Sequence, residues 1–307
     1  MTLRYLLPLL LCLTAWTTPA QEAAPPPPAE AAEQAVAEAG LVQNLPTDLR
    51  DRVEEAVQKA RPSLVRIHVV ETYYSEGREM KYEASGSGVV ISAEGHVITN
   101  HHVAGHAKQI KCVFADKREV NAELIGSDPL TDIAILKLEQ DQEGEFPVVH
   151  FGDSATVQVG DLVLAMGSPL ALSQSVTLGI VSNTEMIMPG RYSRGGGLLQ
   201  DGEDVGSLVR WIGHDAAIFP GNSGGPLVNL EGAIVGINEI GMGLGGAIPG
   251  NLANEVAKEI IEQGRVVRAW LGVNVQPRLK SAKDRRGALV SGTVQQSPAH
   301  EAGIQSG

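Results

Sequence analysis

Cysteine is almost missing from this chain, with Cys12 and Cys112 the only two among 307 residues. Aromatic residues are scarce at 4%. Basic residues are outnumbered, 24 Lys and Arg against 36 Asp and Glu for a net charge of −12, and they form no cluster. Each shortage excludes something. Two cysteines cannot build a disulfide framework, so an apolar core must hold the fold. An acidic chain without a basic patch is a poor nonspecific binder of nucleic acid or anionic membrane, because neutralising phosphates takes clustered Lys and Arg. No apolar run reaches the ~20 residues of a membrane-spanning helix. No Gly-x-x-x-x-Gly-Lys-Ser/Thr loop is present to cradle the phosphates of ATP, and no internal repeat is found. What the chain has in excess is glycine, 35 residues where ~7% is usual. With 43% hydrophobic residues, that composition suits a turn-rich β protein with an aliphatic core.

The chain opens with Arg4, the apolar run Leu6 to Trp16, and the small-residue site Thr18-Pro19-Ala20, the pattern of a secretory signal over residues 1–20. The apolar run would rise about 16 Å as a helix, half a membrane span. Cleavage after Ala20 is therefore favoured over an uncleaved anchor. Cys12 would leave with the signal, and Leu11 before it does not make a lipoprotein site. Cys112 then stands alone without a disulfide partner. Residues 21–46 read as a Pro/Ala-rich linker in which Pro25 to Pro28 favour extended polyproline II.

Leu49, Val53, Ala56, Val57 and Ala60 recur at helical spacing from about Thr47, and Pro62 stops the run. From Leu64 the pattern changes to short strands. Val89 to Ile91 and Val97 to Thr99 form a hairpin; further strands are expected at Ile133 to Leu138, Leu162 to Ala165, Val176 to Val181, Leu227-Val228 and Ala233 to Ile237. Short strands with few helices between them point to all-β barrels or sandwiches. One helix closes this region: Asn251 can cap it, Leu252, Val256, Ile260 and Ile261 share a face, and Gly264 suits its end. A domain boundary follows near Gly264 to Arg268. The tail offers strands at Trp270 to Val273 and Gly287 to Val290 and a helical turn at Ser297 to Gly303. From Leu271 onward it is shorter than the ~40 residues an unsupported domain needs, so a partial module or a fragment is expected.

The sharpest chemical signal is Gly221-Asn222-Ser223-Gly224-Gly225-Pro226. Glycines around a serine let backbone approach a reacting carbonyl and aim N–H groups at its oxygen. The segment also fits Gly-x-Ser-x-Gly, but an α/β-hydrolase needs a helix after the serine, then Asp and His. Here Leu227 to Ile237 read as a hairpin, and the only later histidine is His300 in the tail. The order His, Asp, Ser is met instead by Thr99-Asn100-His101-His102-Val103 and Asp128 to Ala134, with Asp132 inside the second block. That order suits a double barrel in which one barrel supplies base and orienter and the other the nucleophile. A zinc hydrolase built on His102 and His106 is weaker: Val103-Ala104-Gly105 replaces the glutamate of His-Glu-x-x-His, and no third ligand is apparent. Asp128 beside Pro129 reads as a turn cap. Cys112 reads as a buried strand residue.

Thr99 to Val103, Asp128 to Leu136 and Asp215 to Leu227, together with Gly86 to Val89, Gly179 to Ser182 and Gly245 to Pro249, resemble the HtrA/Deg family of trypsin-like serine proteases over about residues 60–266. The tail from Trp270 resembles the opening of a PDZ domain. The resemblance implies an all-β fold of two six-stranded trypsin-like barrels with short helices at the ends, a protease domain over 47–266, and an incomplete PDZ domain over 270–307. It implies His102 as general base, Asp132 as its orienter, Ser223 as nucleophile, and the N–H groups of Gly221 and Ser223 as the oxyanion hole, with no metal and no cofactor. It implies an ATP-independent endopeptidase acting on unfolded or misfolded proteins, a homotrimer, a PDZ arm reading peptide C-termini, and a periplasmic location in a two-membrane bacterium. A holding chaperone using the same cleft without turnover is the rival. The substrate pocket would involve Phe219, Gly245, Gly246 and Ala247. Gly246 stands where the family usually has an aromatic wall, and Phe219 where it has a small polar residue, so Phe219 could refill the lost volume or reshape the oxyanion loop. His101 is the motif's variable position and is expected to be exposed. Thr184 to Arg210 corresponds to the family's activation-loop region.

Overall fold

The computed structural model describes residues 46–75, 77–139, 144–168, 174–187, 198–200, 203–241, 244–276 and 287–307. The expected signal at 1–20 and all of the expected linker but Pro46 lie outside them, as does much of Thr184 to Arg210. Helix α1, Thr47–Ala60, runs into a 3-10 turn at Arg61–Ser63, where Pro62 ends it as expected. Six strands then close a barrel: β1 (Leu64–Ser75), β2 (Arg78–Val90), β3 (His96–Thr99), β4 (Gln109–Val113), β5 (Glu119–Asp128) and β6 (Ile133–Leu138), in the order β1-β2-β3-β6-β5-β4. β1 and β2 are longer than a short-strand reading suggests, 12 and 13 residues paired end to end. Their outer halves lack the apolar alternation that sequence reading depends on, and cross-strand pairing extends them.

The second barrel comprises β7 (Leu162–Gly167), β8 (Ser175–Met186), β11 (Trp211–His214), β12 (Pro226–Val228), β13 (Ile234–Gly241) and β14 (Gly245–Pro249), ordered β11-β14-β13-β12-β7-β8. A side hairpin, β9 (Leu198–Gln200) with β10 (Glu203–Val205), stands outside it. Strand period 2 divides the apolar residues between layers. Val65, Ile67, Val69 and Leu136 belong to a cluster of the first barrel, and Val163, Ala165, Ile212 and Leu227 to one of the second. Leu64, Val89, Ile98, Leu164, Met166 and Trp211 face a third, which joins the barrels and takes in Ala56 and Ala60 of α1.

Helix α3, Gly250–Gln263, adds Ala253, Val256, Ala257 and Ile260 to that shared core and ends on Gly264 at φ 73. The helix starts one residue before the expected cap, with Pro249 as N-cap and no side-chain cap bond. Asn251 instead accepts from the Ser154 N–H at 3.1 Å and donates to Asp153 at 2.7 Å, tying the helix to a neighbouring turn. Beyond α3, β15 (Val273–Gln276) pairs with β16 (Leu289–Thr293), and the one-turn helix α4 (Pro298–Glu301) is capped by the Ser297 side chain.

Candidate active site

The site lies between the barrels, and two short local structures place its residues. Helix α2, His101–Ala104, is a single turn after β3 and carries His102. Asp132 follows the 3-10 turn Pro129–Thr131, which Asp128 caps as expected by accepting from the Thr131 N–H. Asp132 adopts φ 54, ψ 39, a left-handed conformation that Asp tolerates better than most residues. The two elements are stitched together: Asn100 Nδ2 and His101 N–H donate to the Asp132 carbonyl at 3.0 and 3.1 Å. The Asp132 carboxylate accepts from the His102 backbone N–H at 2.9 Å, and its other oxygen lies 2.7 Å from His102 Nδ1. Asp132 is fully buried, while 19% of the His102 side chain remains exposed. Burial lowers the imidazole pKa, but the charge and hydrogen bond of Asp132 outweigh it, so His102 titrates above its ordinary 6.5.

Ser223 sits in the loop before β12. Gly221 has φ 103, and Gly224 has φ 83 with space only for hydrogen, since a Cβ there would lie 2.2 Å from the Ser87 carbonyl and from Thr99 Oγ1. This close approach lets the Ser87 N–H donate to the Ser223 carbonyl at 2.8 Å. The Ser223 hydroxyl donates to the Glu239 carbonyl at 3.1 Å, and among the described residues no hydrogen bond joins it to His102. His102, Ser223 and Gly221 line a cleft of about 290 Å³ together with Tyr82, Glu71 and Val205.

Ser87 was legible only as part of a Gly-Ser-Gly block, without a role. Its hydroxyl accepts from the Ser168 N–H at 2.9 Å and donates to the Gly221 carbonyl at 2.6 Å, joining both barrels to the Ser223 loop. Ser87→Ala should therefore cost about 1–3 kcal/mol, because the buried Ser168 N–H loses its acceptor. Urea unfolding measures this, and an unchanged midpoint would remove the clamp role.

Other candidates sort themselves by burial. His101 is buried, contrary to expectation; its Nδ1 lies 2.9 Å from Ser127 Oγ, and its ring packs edge-on against His106 with centroids 5.0 Å apart. The single-turn helix α2 rotates neighbouring residues to different faces, which the sequence pattern of one turn cannot reveal. Cys112 is buried in β4, and burial pushes its thiol up to about 12. Gly245, Gly246 and Ala247 lie buried along β14. Phe219 is 52% exposed. Against Gly245 lies instead the imidazole of buried His214, within 2.3 Å of where a Cβ would be. Burial drives the His214 pKa down to about 4, so this ring is neutral in the folded protein.

The family model for the trypsin-like peptidase domain matches residues 86–237. A periplasmic serine endoprotease named DegP-like from Pseudomonas fulva is 39% identical over 244 residues, 75% of this chain and 47% of its own length. A DegP-like protein of Bartonella henselae is 38% identical over 239 residues, 73% of this chain and 44% of its own. The solved structure of the HtrA-type protease AlgW with a decapeptide aligns with TM-score 0.64 at 32% identity, over 83% of both chains. The chain belongs to the HtrA/Deg family of trypsin-like serine proteases. The serine endoprotease of Yersinia pestis agrees, with TM-score 0.60 at 34% identity over 83% of this chain and 79% of that one. The chain spans about half the length of the curated HtrA/Deg relatives it matches.

Proposed function

We propose that this chain is an ATP-independent serine endopeptidase that cleaves unfolded or misfolded polypeptides after export from the cytoplasm, in the periplasm of a two-membrane bacterium. The observation that carries the reading is the 2.7 Å contact between His102 Nδ1 and the buried Asp132 carboxylate, in one cleft with Ser223. A free serine is a weak nucleophile at neutral pH and needs an adjacent base. Asp132 holds the proton on His102 Nδ1, which leaves Nε2 free to accept. The Ser223 hydroxyl turns from the Glu239 carbonyl to His102, gives up its proton, and attacks the scissile carbonyl. His102 returns the proton to the leaving amine, and water then releases the acyl group by the same route. Gly221 and Ser223 N–H groups stabilise the oxyanion, each donor contributing about 2.7–4 kcal/mol in the transition state.

In this reading residues 1–20 are the signal, 21–46 the linker, 47–266 the protease domain and 270–307 part of a PDZ domain that reads peptide C-termini, in a homotrimer. The relatives' periplasmic names support export, and the decapeptide in the AlgW structure supports a peptide ligand. Phe219, Gly245, Gly246 and Ala247 remain the proposed substrate-pocket residues, with His214 now beside them.

Intact mass after treatment with a fluorophosphonate tests the reading. One adduct is expected on the wild type and none on Ser223→Ala, with more labelling when unfolded casein is added. No adduct on a folded wild type, together with suppressed casein aggregation, would identify a holding chaperone instead. Loss of proteolysis to a chelator but not to a phosphonate would point to a metal enzyme.

A further inference from the structure

Glu239 is an unexpected residue in an unexpected place. It lies within β13 of the second barrel, 7% exposed. One of its carboxylate oxygens, one from Asp132 and a ring nitrogen of His102 all fall within 4.8 Å of one another. Its backbone reaches the other end of the same site, accepting from the Ser223 hydroxyl. Glu239 Oε2 is buried and has no conventional donor among the described residues. Its Oε1 faces Gly206, where a Cβ would lie 3.8 Å away. Among the described residues, the titratable groups beside Glu239 are Asp132 and His102.

Two carboxylates this close, and both buried, disfavour each other's ionisation. Asp132 accepts two N–H groups from His102. Glu239 Oε2 has no such donor among the described residues. Burial first, then the Asp132 charge and hydrogen bond, push the Glu239 carboxyl well above the ordinary carboxylate range.

We propose that Glu239 is a positioning residue: as a neutral acid it donates its O–H to the Asp132 carboxylate, and so fixes from the second barrel the group that orients His102 in the first. The inference rests on reading His102, Asp132 and Ser223 as a triad. The bond adds a third donor to a carboxylate that is fully buried and draws off part of its charge. A shift of β13 that loosened it would reach the Ser223 hydroxyl through the Glu239 carbonyl and His102 through Asp132.

The first test is thermal unfolding of the full chain on a Ser223→Ala background, with and without Glu239→Gln, from pH 4.5 to 8.5. In the unfolded chain Glu239 ionises above its ordinary 4.5, whereas in the folded protein it stays neutral. Keeping it neutral therefore costs stability that grows as pH rises, and glutamine is exempt. Glu239→Gln should melt level with its parent near pH 4.5 and higher by about 2–4 °C or more at pH 8. An offset that does not change with pH overturns the proposal. The second test is kinetic, in otherwise wild-type full chain with unfolded casein. Glu239→Leu should lose about 10- to 100-fold in kcat with KM nearly unchanged, and Glu239→Gln, which keeps a donor, should recover to within about 5-fold of wild type with the acid limb of the pH profile in place. A Glu239→Gln variant as slow as Glu239→Leu at equal melting temperature overturns the donor role. An acid limb lowered by about one pH unit in Glu239→Gln would mean that a charge had been removed, and overturns the neutral acid. If the wild type takes no fluorophosphonate, the triad reading fails, and the melting series still decides the protonation of Glu239.

Discussion

Ser223→Ala should lower kcat/KM on unfolded casein by about 10⁶, His102→Ala by a similar factor, and the double variant no further. The first variant removes the attacking oxygen. The second leaves a hydroxyl that no base deprotonates, which at neutral pH is almost as inert. Because each residue works only through the other, the losses do not add. The activity that remains, about 10³–10⁴ above the reaction in water, comes from binding and from the oxyanion donors Gly221 and Ser223. Initial rates at several enzyme concentrations, with purified single and double variants, check this. Additive losses would separate the two residues into independent roles and sink the triad reading.

Asp132→Asn should cost about 10⁴ in kcat/KM at neutral pH, more than its preserved shape suggests. Asparagine offers an amide N–H to His102 Nδ1, so the ring must accept there and carry its proton on Nε2, the wrong nitrogen for deprotonating Ser223. The pH profile supplies an independent sign. In the wild type Asp132 raises the His102 pKa above 6.5 against the opposing pull of burial, so the acid limb of activity should lie above 6.5. Without the carboxylate only burial acts, and the limb moves to lower pH. Stability follows the same linkage: the contribution of the His102–Asp132 pair is complete below about 6.5 and is lost as pH rises through the folded value. Phosphonate-labelling rates from pH 5 to 9 test the first statement, and urea unfolding over the same range tests the second. An unmoved acid limb in Asp132→Asn would mean that Asp132 does not set the His102 pKa.

Much of the site was legible because its chemistry is written in contiguous residues. Glycines at 221, 224 and 225 bracket Ser223, and the His102 and Asp132 blocks stand before it in the order a double barrel needs. Strand reading placed β6 to the residue and found the starts or cores of β7, β8, β12 and β13, whose apolar residues are contiguous or alternate. Glu239 escaped notice, since a lone acidic residue near the end of an apolar strand reads as a surface residue until Asp132 is seen beside it. Ser87 gave no sign that its hydroxyl clamps the Gly221 carbonyl. Arg268 looked like part of a boundary, yet its guanidinium pairs with the Asp128 carboxylate, 2.7 Å from Nη2.

By itself the sequence determined the period-2 aliphatic strands, the helix stops at Pro62 and Gly264, and the residue types of a nucleophile, a base and an orienter. Those features depend on local sterics and on side-chain chemistry, which neighbouring residues decide. Only the tertiary structure decided that Glu239 and Asp132 are buried side by side, that His101 is inside, that His214 lies against Gly245 and that the Ser223 hydroxyl points to the Glu239 carbonyl. Each of these joins segments that are remote in sequence across a barrel wall or the cleft, and their energies come from burial and from hydrogen-bond distances that exist only once both barrels have closed.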